Sequence, residues 1–556
     1  MPAPWPGSPG GRVATRARPP EALVPSRFVI SRSSTSLAGA AGETRESLVD
    51  DPRAAPASPE PGAIPDPSER EQAVAVTRGA RWVAGSQVAQ QVTKAGSSII
   101  LARLLRPTDF GLLAITVVLT DFLERVLGDT GTSAALIHRK ELDQDLASSV
   151  FFLNLMVGVV TCAFLFLAAP VLAPALGDDR VEPILRGVGV AFVLLALGLV
   201  QRALLRRALR FRAVAAGDLA STATQTVVAV ALALRGWGVW SLVVGILVGR
   251  MASNVTVWWV SAWRPRWHFR WADIRQVTGF SGNLSAFNFF SYFSEAGDKF
   301  IVGRFVSAAA LGFYGFGYRL LLQPVQSVLQ VCRVVLFPAF ARIQEDNDSI
   351  GRGYVRATSA VAMLTFPVTI GIAVMAEPIV RVVLGEKWLP AVPILAIFGP
   401  LAAIQAVSTT TSVLYQAKGR TDLQFRWGMV VGLAMLGSYL IGSRWGATGV
   451  AWSFLLGTLV LAVPTLAIPF NLVDLPFRRF LVGLLPSAVP TAIMAAAAYG
   501  LRRALEAGGA GPGVTLFIPV GVGAAIYCGI VLVTRPQALR DLVLLLRPRR
   551  PAAAAA

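Results

Sequence analysis

Apolar runs of roughly 20 residues, the length that spans a bilayer as a helix, follow one another along most of the chain, with short polar turns between them. The pattern predicts about fourteen helices beginning near Ala80, Phe110, Ala147, Ile184, Ala215, Val239, Thr278, Ala309, Val355, Val392, Trp427, Ala447, Phe480 and Val514. Several of these runs are not apolar all round. The first carries Gln87, Gln90, Lys94 and Ser97 at spacings of 3, 4 and 3, which places them in one stripe. The eighth carries Arg319, Gln323, Gln326, Gln330 and Arg333 at 4, 3, 4 and 3, an arc of roughly 80° at about 100° per residue. The second has Asp121, Arg125 and Asp129 at i, i+4 and i+8, and the seventh has Asn288, Ser291, Glu295 and Asp298.

The first and seventh runs are related. "KAGSSIILARLLRPTDFGLLA" from Lys94 aligns without gaps on "EAGDKFIVGRFVSAAALGFYG" from Glu295, 201 residues later. Identities fall at Ala95/Ala296, Gly96/Gly297, Ile100/Ile301, Arg103/Arg304 and Gly111/Gly312. Six predicted helices separate the copies, so both keep the same orientation, as in a parallel repeat about an axis along the membrane normal. The expected architecture is all-α: two pseudo-symmetric six-helix lobes around a central cavity, plus two C-terminal helices. The corresponding boundaries are a Pro/Ala/Arg-rich tail at 1–75, lobes at 76–270 and 271–470, the last two helices at 471–534 and a basic tail at 535–556. The first tail lacks the apolar runs a packed core needs and is expected to be disordered and cytoplasmic.

Composition sharpens this picture. Of 556 residues, 54% are hydrophobic and only 15% charged, well below the share usual for a soluble protein. The net charge of +19 is better explained by loop arginines than by a nucleic-acid partner. Alternate loops hold about twice as many Lys and Arg as the others, including Arg202, Arg206, Arg207, Arg264, Arg266 and Arg270, so both termini are expected in the cytoplasm. Cys162, Cys332 and Cys528 lie far apart in apolar runs and suggest neither a disulfide framework nor a metal site. A charge at mid-bilayer costs about 2.5–3.5 kcal/mol on insertion scales, so the polar stripes should face a cavity or a partner. Self-pairing is the competing account: Asp121, Arg125 and Asp129 within one helix, and Lys94 with Glu295 between lobes.

"ARLLRPTDFGLLA", "LIHRKELDQDLASSVFFLNL", "GRFVSAAALGFYGFGYRL", "VLFPAFARIQ", "VVLGEKWLPAVPILAIFG" and "VLYQAKGRTDL", in this order, resemble polysaccharide transporters of the Wzx type. These belong to the multidrug/oligosaccharidyl-lipid/polysaccharide exporter superfamily, and the likeness runs from about Arg78 to Asn471. It implies a flippase of the bacterial cytoplasmic membrane that moves an undecaprenyl-pyrophosphate-linked glycan between leaflets for capsule, O-antigen or exopolysaccharide assembly. The partners it implies are the lipid-linked oligosaccharide, membrane lipids and the polymerase and glycosyltransferases of the pathway. A diphosphate needs cations in a wet cavity and sugars need amides. Lys94, Arg125, Lys299, Arg319 and Arg333 are the diphosphate candidates, and Gln87, Gln90, Gln323, Gln326 and Gln330 the glycan candidates. Asp121, Asp129, Glu295 and Asp298 are candidates for a coupling proton or sodium ion, or for ion pairs; no other cofactor is expected. A lipid II flippase and a multidrug antiporter are the rivals within the superfamily. A glycan polymerase or glycosyltransferase fits less well, because no catalytic motif or sizeable external loop is seen.

Overall fold

The computed structural model describes residues 69–534 except 126–135, 137–142, 272–273, 275–291 and 293–295. Inside helices, the side chains of 69–81, 83–84, 327–328, 330–335 and 338 also lie outside the described residues. Residues 1–68 of the tail expected at 1–75, the tail at 535–556, and Asp129 and Glu295 therefore fall outside it; residues 69–75, expected in the first tail, instead form the start of α1. Among the described residues every regular element is a helix. The first half comprises α1 (Glu69–Leu104), α2 (Pro107–Leu123), α3 (Gln144–Leu176), α4 (Val181–Arg207), α5 (Phe211–Leu234) and α6 (Val239–Val260). After helical turns at 296–305 come α7 (Ala308–Gly317), a π turn (Tyr318–Leu322) and α8 (Gln323–Ala341). The remainder is α9 (Asn347–Val374), α10 (Val392–Ser408), α11 (Thr421–Gly442), α12 (Gly446–Asn471), α13 (Phe477–Ala507) and α14 (Pro512–Thr534).

Local chemistry sets these boundaries. Pro107 opens α2 where its missing N–H costs nothing, and the Asp109 carboxylate accepts the Arg106 N–H at 2.9 Å. Ser307 caps α7 through the Ala310 N–H at 3.1 Å, and Asp346 caps α9 through Ser349 at 2.9 Å. Nine helical stretches among the described residues are long and apolar enough to cross a bilayer. Those outside that set are α1, rich in charges and amides, the 17-residue α2, and α7–α8, interrupted by the π turn. They are also three of the helices whose sequence carries a polar stripe.

Packing repeats between the halves. In the first, α3 packs on α4, α5 on α6 and α4 on α6; in the second, α9 packs on α10, α11 on α12 and α10 on α12. The two lobes meet where α2 crosses α7, and the crossing is reciprocal. A Cβ on Gly111 would lie 1.6 Å from the Ala308 carbonyl oxygen, and one on Gly312 would lie 2.1 Å from that of Pro107. Pro107 and Ala308 are themselves 201 residues apart, so the same backbone contact is made twice about a pseudo-two-fold axis. Only glycine allows the helices to come this close.

The last two helices are fastened to the second lobe. Arg502 on α13, buried at 7% exposure, pairs with Glu377 and Glu506 at 2.6 Å each and donates to the Val374 carbonyl at 3.0 Å. At the other end Arg479 meets Asp348 at 3.1 Å, and Tyr527 of α14 donates to the Met363 carbonyl at 2.7 Å. Arg502→Met should lower the melting temperature of the purified protein by several degrees. Breaking a buried pair costs about 3–5 kcal/mol, and the solvent access of Glu377 and Glu506 keeps this case toward the lower end. Arg479→Met, an exposed pair worth about 1 kcal/mol or less, is the control; equal shifts would show that Arg502 is no anchor.

Candidate functional site

Charged residues of α2, of the turns at 296–305 and of the π turn come within range of one another where the two lobes face each other. On α2, Asp121 is exposed and lies within electrostatic range of Glu124, Arg125, Lys299 and Arg250. Arg319, in the π turn of the other lobe, is exposed as well and within electrostatic range of Asp121. Charges from both lobes thus come within range of one another among apolar helices, where a charge needs water or a partner.

Two of the cations rest on aromatic faces. The Arg125 guanidinium sits 5.2 Å from the centroid of Tyr292, and the Lys299 ammonium 3.6 Å from that of Tyr318. Tyr292 also packs on Phe122 at 5.7 Å and donates its hydroxyl to the Val118 carbonyl of α2. Neither tyrosine stood out in the sequence, although Tyr292 follows Asn288 at a spacing of four.

The remaining candidates divide. Gln323 is exposed at the start of α8, and Gln326, half-buried, donates to the Gln405 side chain of α10 at 3.4 Å. Gln330 and Arg333 belong to α8, but their side chains lie outside the described residues. On α1, Gln87 and Lys94 are exposed, and Lys94 has no ion-pair partner among the described residues. Gln90 is buried at 7% exposure and its Nε2 finds no acceptor among the described residues. Beside it a cleft of about 300 Å³ opens between α1 and α5, lined by Trp82, Gly85, Ser86, Ala89 and Leu219. Asp298 is set apart from the exposed charges: at 2% exposure it accepts the Tyr314 hydroxyl at 2.9 Å, and its second oxygen has no partner among the described residues.

A clasp joins the end of α1 to the segment before α10. Arg103, at the end of α1, donates to the Val383 carbonyl at 2.8 Å and to that of Val382. Lys387 returns two hydrogen bonds of 2.6 Å to the Arg103 and Leu105 carbonyls, and Trp388 donates to Ala102 at 2.8 Å. The Trp388 ring is fully buried among Phe110, Phe313 and Phe316, with centroids 4.9–5.8 Å away. Arg304, the repeat partner of Arg103, packs against Gly177 at the end of α3. This clasp joins residues some 280 apart in sequence, and no local pattern announces it.

Comparison with known proteins gives consistent results. A family model described as polysaccharide biosynthesis protein matches residues 100–393. The succinoglycan biosynthesis transport protein ExoT of Rhizobium meliloti is 28% identical over 484 residues, covering 86% of this chain and 97% of its own. The lipopolysaccharide biosynthesis protein WzxC of Escherichia coli is 27% identical, covering 68% and 77%. The teichuronic acid biosynthesis protein TuaB of Bacillus subtilis is 26% identical, covering 84% and 97%. Among solved structures, a lipid II flippase MurJ in an inward closed conformation superposes with a TM-score of 0.66 at 16% identity, covering 83% of this chain and 99% of that one. An inward-facing multidrug resistance transporter of the MATE family gives 0.55 at 13%, covering 69% and 94%. These structures share the two-lobe fold, and at such identities the likeness concerns the fold alone.

Proposed function

Because the chain belongs to the polysaccharide biosynthesis protein family, and is a multi-pass membrane protein, we propose that it carries a lipid-linked oligosaccharide across the bacterial cytoplasmic membrane by alternating access, for capsule, O-antigen or exopolysaccharide export. The observation that carries this reading is the meeting of Arg125, Lys299 and Arg319 around Asp121 in an exposed space between two lobes. A diphosphate brings at least two negative charges, and cations held in water-accessible positions can exchange their present partners for it. Lys299 on Tyr318 and Arg125 on Tyr292 are held by cation–π contacts worth about 0.5–2 kcal/mol, which a doubly charged group can outcompete. Gln87, Gln90, Gln323, Gln326 and Gln330 supply donors and acceptors for sugar hydroxyls, and Lys94 and Arg333 add further cations for the diphosphate.

In this reading both termini are cytoplasmic, the glycan is supplied by glycosyltransferases and consumed by a polymerase, and the clasp of Arg103, Lys387 and Trp388 closes the external end. Asp121, Asp129, Glu295 and Asp298 are the candidates in this reading for a coupling proton or sodium ion, with ion pairing as their other role. A lipid II flippase would use the same machinery on another glycan. A multidrug antiporter is disfavoured by the cations and amides of the stripes, which suit an anionic, sugar-bearing cargo. Vesicles holding the purified chain should move a fluorescent undecaprenyl-pyrophosphate-linked oligosaccharide between leaflets and leave cationic dyes where they are. Transport of dyes without any lipid-linked sugar would sink the proposal.

A further inference from the structure

The segment joining the two lobes is unlike any other turn of the chain. From Trp263 to Trp271 it reads "WRPRWHFRW", with ring-bearing and basic residues in strict alternation. It is not helical. It leaves α6 through Ser261 in an extended conformation and runs across the N-terminal end of α3. Four tethers hold it there. Gln144 donates to the Arg264 carbonyl at 2.8 Å; the Ser148 and Ser149 hydroxyls accept the N–H groups of Arg266 and Arg270 at 3.0 and 3.2 Å; and His268 stands 3.9 Å from Asp145.

The first ring turns inward: Trp263, half-buried, packs on Phe151 at 6.0 Å. The next tryptophan is thrown outward by a tight turn in which the His268 N–H reaches the Arg266 carbonyl at 2.7 Å. Trp267 is 97% exposed, with Phe269 and Trp271 at 47% and 53%. Arg266 and Arg270 are exposed beside them, and neither has a side-chain partner among the described residues. The strip lies at the ends of α3 and α6, both apolar enough to cross a bilayer, and its Trp263 packs with the end of α4, which leads into the arginine-rich turn at 202–212. Exposed tryptophans at that depth match the headgroup zone, and arginines beside them match its phosphates.

We propose that residues 263–271 form a membrane-surface strap that binds anionic phospholipid headgroups, with Trp267, Phe269 and Trp271 seated among the upper acyl chains and Arg266 and Arg270 on headgroup phosphates. The strap is tethered to the first lobe and precedes the second lobe in sequence, so it holds this end of the connection between them at a fixed depth.

The test uses the full chain and needs no transport. In vesicles containing brominated phosphatidylglycerol, wild-type tryptophan emission is quenched more than in vesicles of brominated phosphatidylcholine, and Trp267→Phe removes most of that difference. In detergent, the dissociation constant for short-chain phosphatidylglycerol rises about fivefold for each of Arg266→Gln and Arg270→Gln, the loss expected for one arginine at an anionic surface. Binding of short-chain phosphatidylcholine does not change. Thermal melts matching wild type verify folding in the variants. Equal quenching by the two lipids, or unchanged phosphatidylglycerol affinity in the double variant, overturns the proposal. So does displacement of phosphatidylglycerol by stoichiometric inorganic pyrophosphate, which would assign the strip to phosphate capture from the cargo.

Discussion

Arg319→Ala should abolish glycan export while the protein stays abundant in the membrane. The guanidinium is exposed between the lobes in the π turn that joins α7 to α8, and the charge within its range on the other lobe is the carboxylate of Asp121. Each charge-assisted hydrogen bond to a phosphate contributes about 1.5–3 kcal/mol. A bidentate guanidinium–diphosphate contact therefore supports a fall of roughly a hundredfold or more in transport rate. Arg319→Lys keeps the charge and loses the fork, so it should recover only part of the rate. The readout is surface polysaccharide in cells deleted for the native gene, alongside protein abundance in the membrane fraction. Full export by Arg319→Ala would mean that the π turn is a packing feature and that the diphosphate is bound elsewhere.

Gly111→Ala and Gly312→Ala should each force the lobes apart at the α2–α7 crossing. An added methyl at either site would overlap a backbone carbonyl, at 1.6 and 2.1 Å respectively, and backbone cannot step aside as a side-chain tip can. Overpacking of this kind costs about 1–3 kcal/mol even where neighbours relax. A penalty of about 3 kcal/mol on the closed arrangement alone would shift its population more than a hundredfold. Opening can be read from Ala102→Cys, fully buried beneath the Trp388 clasp, in a background without Cys162, Cys332 and Cys528. Maleimide labelling of that cysteine should become fast in both glycine variants, and to a similar extent, because the two contacts are one contact repeated. Slow labelling in both would show that the crossing tolerates a Cβ and is not the closure of the cavity.

Much of the scaffold is legible in the sequence because periodicity and turn chemistry are local. The expected starts at Val239 and Val392 are the first residues of α6 and α10, and the short run at Trp427 lies within the full 22-residue α11. The 201-residue repeat marks a real equivalence at Gly111 and Gly312. It does not carry through to packing everywhere. A Cβ on Gly96 would meet nothing within 4 Å, while one on its repeat partner Gly297 would strike Leu436 of α11. The copies share backbone course but differ in what covers them, which only the assembled lobes determine.

The candidate site was readable as stripes but not as contacts. Helical spacing shows that Gln87, Gln90 and Lys94 share a face; it cannot show that Gln90 is buried while the other two are open. Asp298 stands on the seventh helix's polar face in sequence, yet its hydroxyl partner, Tyr314, comes from the next helix. The tyrosines beneath Arg125 and Lys299 and the clasp at Trp388 all depend on residues distant in the chain, so no window of sequence contains both halves of the interaction.

The polar faces of α1, α2 and α7–α8 also bear on how the chain enters the bilayer. A helix that lines water in the finished protein must first pass through the insertion machinery, where it is judged largely by its own apolarity. With Lys94 and its amides, α1 is a weak candidate for release into lipid by itself, whereas α3, at a mean hydropathy of 2.5 over its best window, is a strong one. The order of synthesis and the order of commitment to the membrane therefore differ: α1, rich in charges and amides, should commit only when later helices offer partners. Biogenesis, rather than the folded state, is where substitutions that add charge to these stripes will first be felt.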